Sequence, residues 1–183
     1  MKKALILASI LSVVLLFIFS CELESDSGNS SRGVDALKLT ETDITGWTED
    51  EGGGTYNSET LFDFINGGAP KYINNGLIEG FIQYMSKSDR KATIMVMDFG
   101  TESNAIAMYN DMSNRNSSPE KAGNYNLNTA QLDVSPSSGV DAYAHFKQFY
   151  IELNLTDFPD KSEAPNVAAS IIEVFEAKIN QLK

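Results

Sequence analysis

Residues 77–99 read LIEGFIQYMSKSDRKATIMVMDF, two strand-like runs around a polar turn. Ala92–Phe99 has six apolar residues in eight. Its composition suits a strand buried on both faces, near the centre of a sheet. Leu77–Ser86 predicts its partner. Lys87-Ser88-Asp89-Arg90 between them is far too short for a parallel crossover, which needs a dozen or more residues. The pair therefore reads as an antiparallel hairpin.

Downstream, Gly100-Thr101 opens a helix with Thr101 as its cap, and Ala105, Met108, Tyr109 and Met112 form the buried stripe. Ser113–Asn128 is rich in Asn and Ser and reads as a loop. Three short strands follow, Ala130–Val134, Val140–Phe146 and Phe149–Leu155, the first two joined by a turn over residues 136–139. Asn166–Leu182 is the last helix, with Val167, Ile171, Phe175, Ile179 and Leu182 on one face. Upstream, Leu37, Leu39, Ile44 and Trp47 are candidate core anchors, and Glu51-Gly52-Gly53-Gly54 reads as a loop. Asn57 or Ser58 then caps a helix whose face is Leu61, Phe64, Ile65, Gly68 and Tyr72. The short turns after Ser86, Val134 and Phe146 exclude a doubly wound parallel fold. The expectation is a single α+β domain over residues 34–183. Its sheet is mainly antiparallel, of about five strands, with helices packed on it and able to cover both faces.

The segment Leu61–Gly76, LFDFINGGAPKYINNG, interrupts a helical face with two glycines and a proline. Pro70 has no N–H, and its ring crowds the carbonyl four residues back, at Asn66. One helix should therefore end near Ile65, with Asn66-Gly67 as a left-handed cap. A second should start at Ala69-Pro70 and end at Asn75-Gly76. Gly67 and Gly68 are explained by a positive φ or by close approach of another backbone.

FDFINGGAPKYINNG also resembles the signature of a bacterial family of extracytoplasmic proteins of unknown function. That family carries an aromatic-Ile-Asn-Gly-Gly-Ala segment followed by a Tyr and a strand. The resemblance continues through Ile94–Tyr109, IMVMDFGTESNAIAMY, and includes Gly46-Trp47; Pro70 stands where such proteins commonly carry Glu. It implies an envelope location and no particular activity. A broken helix also frees backbone N–H groups for a ligand. Asn66, Gly67, Gly68, Tyr72 and Asp98 are thus the candidate ligand-binding residues, set against the simpler reading of a tight turn packed on the sheet.

The N-terminus sets the location. Met1-Lys2-Lys3 precedes an apolar run over Ala4–Phe19, shorter than the about 20 residues a bilayer span needs. Ser20 and Cys21 follow, and the whole reads as a secretory signal peptide over residues 1–20. Ile18-Phe19-Ser20-Cys21 resembles a lipobox, which implies cleavage before Cys21 and lipidation of its thiol. The acyl chains would then anchor the protein to the membrane. Glu22 after the cysteine is compatible with the outer membrane where there are two. Residues 21–33 are polar and Ser- and Gly-rich, a flexible tether reaching roughly 20 Å. Cleavage moves the net charge from −11 to −13, so nucleic acid is excluded as a partner. Cys21 is the only cysteine, so stability rests on the core and not on disulfides.

No catalytic constellation, metal-binding pattern or cofactor motif emerges. His145 is the only histidine and lies in a strand-like run beside Tyr143 in the alternation. Gly52-Gly53-Gly54 lacks the lysine and spacing of a phosphate loop. Asp63, Glu79, Asp98 and Glu102 fall around the motif segments, and two of them could pair as carboxylates for glycoside hydrolysis or for calcium, though no Asp-x-Asp-x-Asp-Gly loop is present. The expected function is a lipid-anchored cell-envelope domain that binds a partner protein or small ligand without catalysis. The alternatives are an envelope hydrolase using acidic residues near Asp98 and Asn66, and a structural assembly factor.

Overall fold

The computed structural model describes residues 33–137 and 139–182. The signal segment, Cys21 and the tether to residue 32 lie outside the described residues. The strands are β1 (Thr48–Glu49), β2 (Gly54–Asn57), β3 (Glu79–Lys87), β4 (Arg90–Asp98), β5 (Glu120–Lys121), β6 (Ala130–Asp133), β7 (Val140–Phe146) and β8 (Phe149–Thr156). The helices are α1 (Phe62–Ile65), α2 (Ala69–Asn74), α3 (Glu102–Ser113) and α4 (Ala164–Gln181). One antiparallel sheet runs β1-β3-β4-β8-β7-β6-β5, with β2 also on β3.

The hairpin over residues 77–99 forms as read. Lys87 pairs with Arg90, and Ser88 takes the positive φ of the two-residue turn. The sheet has eight strands among the described residues, not about five. The three extra ones are short edge strands in Gly-, Asp- and Asn-rich segments, where alternation leaves no trace. β1 and β2 pair with successive parts of the same edge of β3, and the Asp50 N–H continues the ladder to the Tyr84 carbonyl at 2.8 Å. The glycine segment is therefore a turn between two pieces of edge strand, with Gly54 already in β2. A Cβ on Gly53 would sit 2.5 Å from the Ile82 carbonyl oxygen, so only glycine fits there. Likewise β5 lies within the stretch read as loop.

Period-2 alternation sends successive side chains of the central strands to two different cores. Ile94 and Val96 of β4, with Phe149, Ile151, Leu153 and Leu155 of β8, share one core with Ile171, Phe175 and Ile179 of α4. Met95, Met97 and Tyr150 share the other with Ala105, Met108, Tyr109 and Met112 of α3 and with Leu61 and Tyr72 of the α1–α2 segment. Helices thus cover both faces. Thr101 caps α3, its side chain accepting from the Asn104 N–H at 3.3 Å.

The break in Leu61–Gly76 falls where Pro70 demands it. α1 ends at Ile65, a 3₁₀ turn covers Asn66–Gly68, and Pro70 lies in the first turn of α2. The left-handed residue, however, is Asn66 (φ 43°); neither Gly67 nor Gly68 has a positive φ. A Cβ on Gly67 would meet nothing within 4 Å, and one on Gly68 only the Ile65 side chain at 3.9 Å. The asparagine bears the positive φ, which its short polar side chain tolerates, and no neighbouring backbone crowds either glycine.

Candidate functional site

Ile151 and Leu153 point into the α4-side core, so alternation turns Tyr150, Glu152 and Asn154 to the opposite face of β8. Glu152 is half-buried there. Taking a carboxylate out of water is costly unless donors meet it. Two do: the Tyr72 hydroxyl donates to Oε2 at 3.0 Å and the Tyr150 hydroxyl to the same oxygen at 3.1 Å. Tyr150 arrives from the same strand, two residues earlier. Tyr72 arrives from α2, placed over the sheet by the break at Asn66–Pro70. No protein donor reaches the second oxygen, Oε1, among the described residues.

A third tyrosine points the same way. Tyr56 on β2 lays its ring across Gly80 of β3, where a Cβ would sit 2.8 Å from Tyr56 Cε2 and 2.9 Å from Cζ. Glycine at that position makes room for the ring to run inward from the sheet edge. Tyr56 is 2% exposed, and its hydroxyl has no hydrogen-bond partner among the described residues. Burial first, and then the charge of Glu152, push the hydroxyls of Tyr56, Tyr72 and Tyr150 well above the ordinary phenol range. All three keep their protons and remain donors.

Three more residues complete the surroundings. Tyr143 stands directly opposite Glu152 in the β7–β8 register, and Gln131 directly opposite Tyr143 in β6–β7. Gln131 is 2% exposed, and its Nε2 has no partner. Lys71 Nζ sits 4.5 Å from the Tyr72 ring centroid and donates to Met112 Sδ at 3.0 Å. Burial pulls its pKa down, partly opposed by Glu152. Lys71 and Glu152 feel each other's charge but do not close into an ion pair; the ion pairs among the described residues lie elsewhere.

Of the residues singled out in the sequence, Tyr72 alone enters this centre. Asn66 and Gly67 are exposed and Gly68 half-buried in the turn before α2. Asp98 lies on the other face of the sheet by the alternation of β4, directly opposite Glu79. Its Oδ1 accepts from the Gly100 N–H at 2.6 Å, while burial, followed by the charge of Glu79, raises its pKa. Asp98 and Asn66 therefore do not converge. Asp63 and Glu102 are exposed. His145 is half-buried, its Nε2 2.8 Å from the Asn128 carbonyl and its ring edge-on to Tyr109. Among the described residues, no group of three His, Cys, Asp or Glu side chains is placed to hold a metal, and no helix is long and apolar enough to cross a membrane.

The sequence reading missed Glu152, Tyr150, Tyr143, Tyr56, Gln131 and Lys71. One signal was present: FYIELNL at 149–155 places a carboxylate at the middle of a strongly apolar strand. Alternation alone assigns that position to solvent, and only α2 and α3 lying across the face change the assignment.

No protein-family model matches the chain, and no curated protein matches it in sequence. Among solved structures, it is similar to the extracellular domain of PknH from Mycobacterium tuberculosis. The TM-score is 0.49 at 10% identity, over 79% of this chain and 95% of that one.

Proposed function

We propose that this chain is a lipid-anchored domain of the bacterial cell envelope that binds a small ligand, without catalysis, at the centre formed by Glu152 and its tyrosines. Anchoring rests on the lipobox-like Ile18–Cys21, and the envelope setting also on the resemblance carried by Leu61–Gly76 and Ile94–Tyr109. Binding rests on a single observation: the buried Tyr56 hydroxyl, within the field of the Glu152 carboxylate, has no hydrogen-bond partner among the described residues. Native interiors rarely leave such groups unmet, and each one calls for an explanation. A ligand hydroxyl or amine supplies what the protein omits. A thermal-shift screen of small metabolites and saccharides against the mature lipoprotein tests this. A ligand that raises the melting temperature of the wild type and not of Glu152→Gln is the expected result. No ligand stabilising the wild type speaks against it. Anchoring is tested separately, since Cys21→Ser should leave the detergent phase on partitioning.

A second reading, docking of a protein partner, has its own observation. Phe62 and Phe64 on α1 are 47% and 39% exposed. Phe62→Ser should then weaken the partner interaction without altering ligand binding at Glu152, whereas Phe64 packs on the Tyr56 ring, 5.5 Å between centroids, and is left in place.

A further inference from the structure

The polar groups around Glu152 also restrict what the ligand is, and this inference rests on the ligand-binding reading above. From the pattern of unmet donors and acceptors we infer that the centre binds a neutral, polyhydroxylated ligand, a saccharide of two or more rings.

Three features carry this. The first is charge. Lys71 and Glu152 set a charge of each sign at the centre, with Arg115 and Asp111 acting on Lys71 and Asp141 and Asp133 on Tyr143, so an added ion of either sign meets a like charge. An added anion meets Glu152 and a chain of net charge −11. A neutral ligand meets neither penalty. The second is the mixture of needs. Gln131 Nε2 is a buried donor without a partner and the Tyr56 hydroxyl, buried likewise, serves as donor or acceptor, while the half-exposed Glu152 and Lys71 add an acceptor and a donor beside them. A sugar hydroxyl is one donor and two acceptors at once, so neighbouring hydroxyls on one ring meet both needs. The third is extent. Gln131 stands on β6, and the ring of Tyr56 enters from the far side over β3 toward β4. From β6 to β4 is three strand spacings, about 14 Å, longer than a free amino acid. Tyr143, half-buried in the middle of this row, supplies the aromatic face on which the C–H side of a sugar ring rests. Tyr56 and Gln131 are closed to solvent as they stand, so meeting their donors requires side-chain movement on binding.

The experiment uses the mature lipoprotein in a detergent without a sugar headgroup. It is probed on an array of neutral, acidic and sulfated glycans, with free amino acids and polyamines measured in parallel by calorimetry. Neutral oligosaccharides should bind, at least tenfold more weakly in Glu152→Gln and several-fold more weakly in Tyr56→Phe, with melting temperature and near-ultraviolet circular dichroism monitored for both. Tyr56→Phe keeps the ring over Gly80 and removes only the hydroxyl, so it guards against a folding defect in the glutamate variant. Neutral glycan binding unchanged in both variants places the glycan elsewhere and overturns the inference. Glu152-dependent binding of amino acids, polyamines or anionic glycans, with no neutral glycan, also overturns it while leaving the ligand-binding reading intact. No binding by any class removes both.

Discussion

Tyr72 and Glu152 are 80 positions apart in the chain, and the hydroxyl of the first donates to the carboxylate of the second at 3.0 Å. This contact ties α2, which follows a helix break, to a central strand. A hydrogen bond to a charged group contributes about 1.5–3 kcal/mol. Tyr72→Phe should therefore lower unfolding stability by about that amount in a urea titration. In a double-mutant cycle with Glu152→Ala, the two effects should not add, because both remove the same contact. Additive losses would show that the contact contributes nothing.

Gly80 and Gly67 make opposite forecasts. At Gly80 a Cβ would press on the Tyr56 ring and, at 2.8 Å, on the Val96 carbonyl oxygen. Gly80→Ala should cost about 1–3 kcal/mol through overpacking, and should displace Tyr56, visible in near-ultraviolet circular dichroism. At Gly67 the space is open and φ is not positive. Gly67→Ala should be neutral or stabilise by up to about 1 kcal/mol, by narrowing the unfolded ensemble. A large loss at Gly67 with none at Gly80 would reverse the assignment of which glycine is required.

Phe175 is 0% exposed in the core between α4 and the sheet. Phe175→Ala should destabilise by about 3–5 kcal/mol, by the lost burial and the cavity left behind. Chemical denaturation of the two proteins measures it directly, and a change within half of one kcal/mol would place the α4 stripe outside the core.

Asp98 gives the pH dependence. Its folded pKa is raised by burial above the ordinary 3.8, with the Glu79 charge across the hairpin adding to the rise. The folded state then holds more protons than the unfolded state between the two pKa values, so stability falls as pH climbs through that window. Asp98→Asn retains an acceptor for the Gly100 N–H and removes the charge. It should stabilise the protein at neutral pH and flatten this part of the stability–pH curve, measured by melting temperature against pH. Loss of stability at neutral pH would mean that the charged hydrogen bond to Gly100 outweighs burial.

Elements with their own periodicity were legible in the sequence. The hairpin over 77–99, the strands Val140–Phe146 and Phe149–Leu155, the stripe on α3 and the break at Pro70 follow from local sterics and alternation, which a window of a few residues contains. The edge strands β1, β2 and β5 were not legible, since their pairing depends on what β3 and β6 offer and not on their own residues. The site divides in the same way. Tyr72 was singled out because it follows the broken helix, a local feature. Glu152 falls inside the strand run Phe149–Leu155 and Tyr56 between Gly54 and the cap at Asn57, and no local pattern marks either one. Only the tertiary structure brings them together, as α2 closes over one face of β8 and a missing side chain at Gly80 lets Tyr56 cross β3. The class of fold and the place where the helix must break are set by interactions between near neighbours, which a short stretch of residues contains. Which polar groups share one buried centre was decided by packing between segments 80 residues apart, and no local pattern records that.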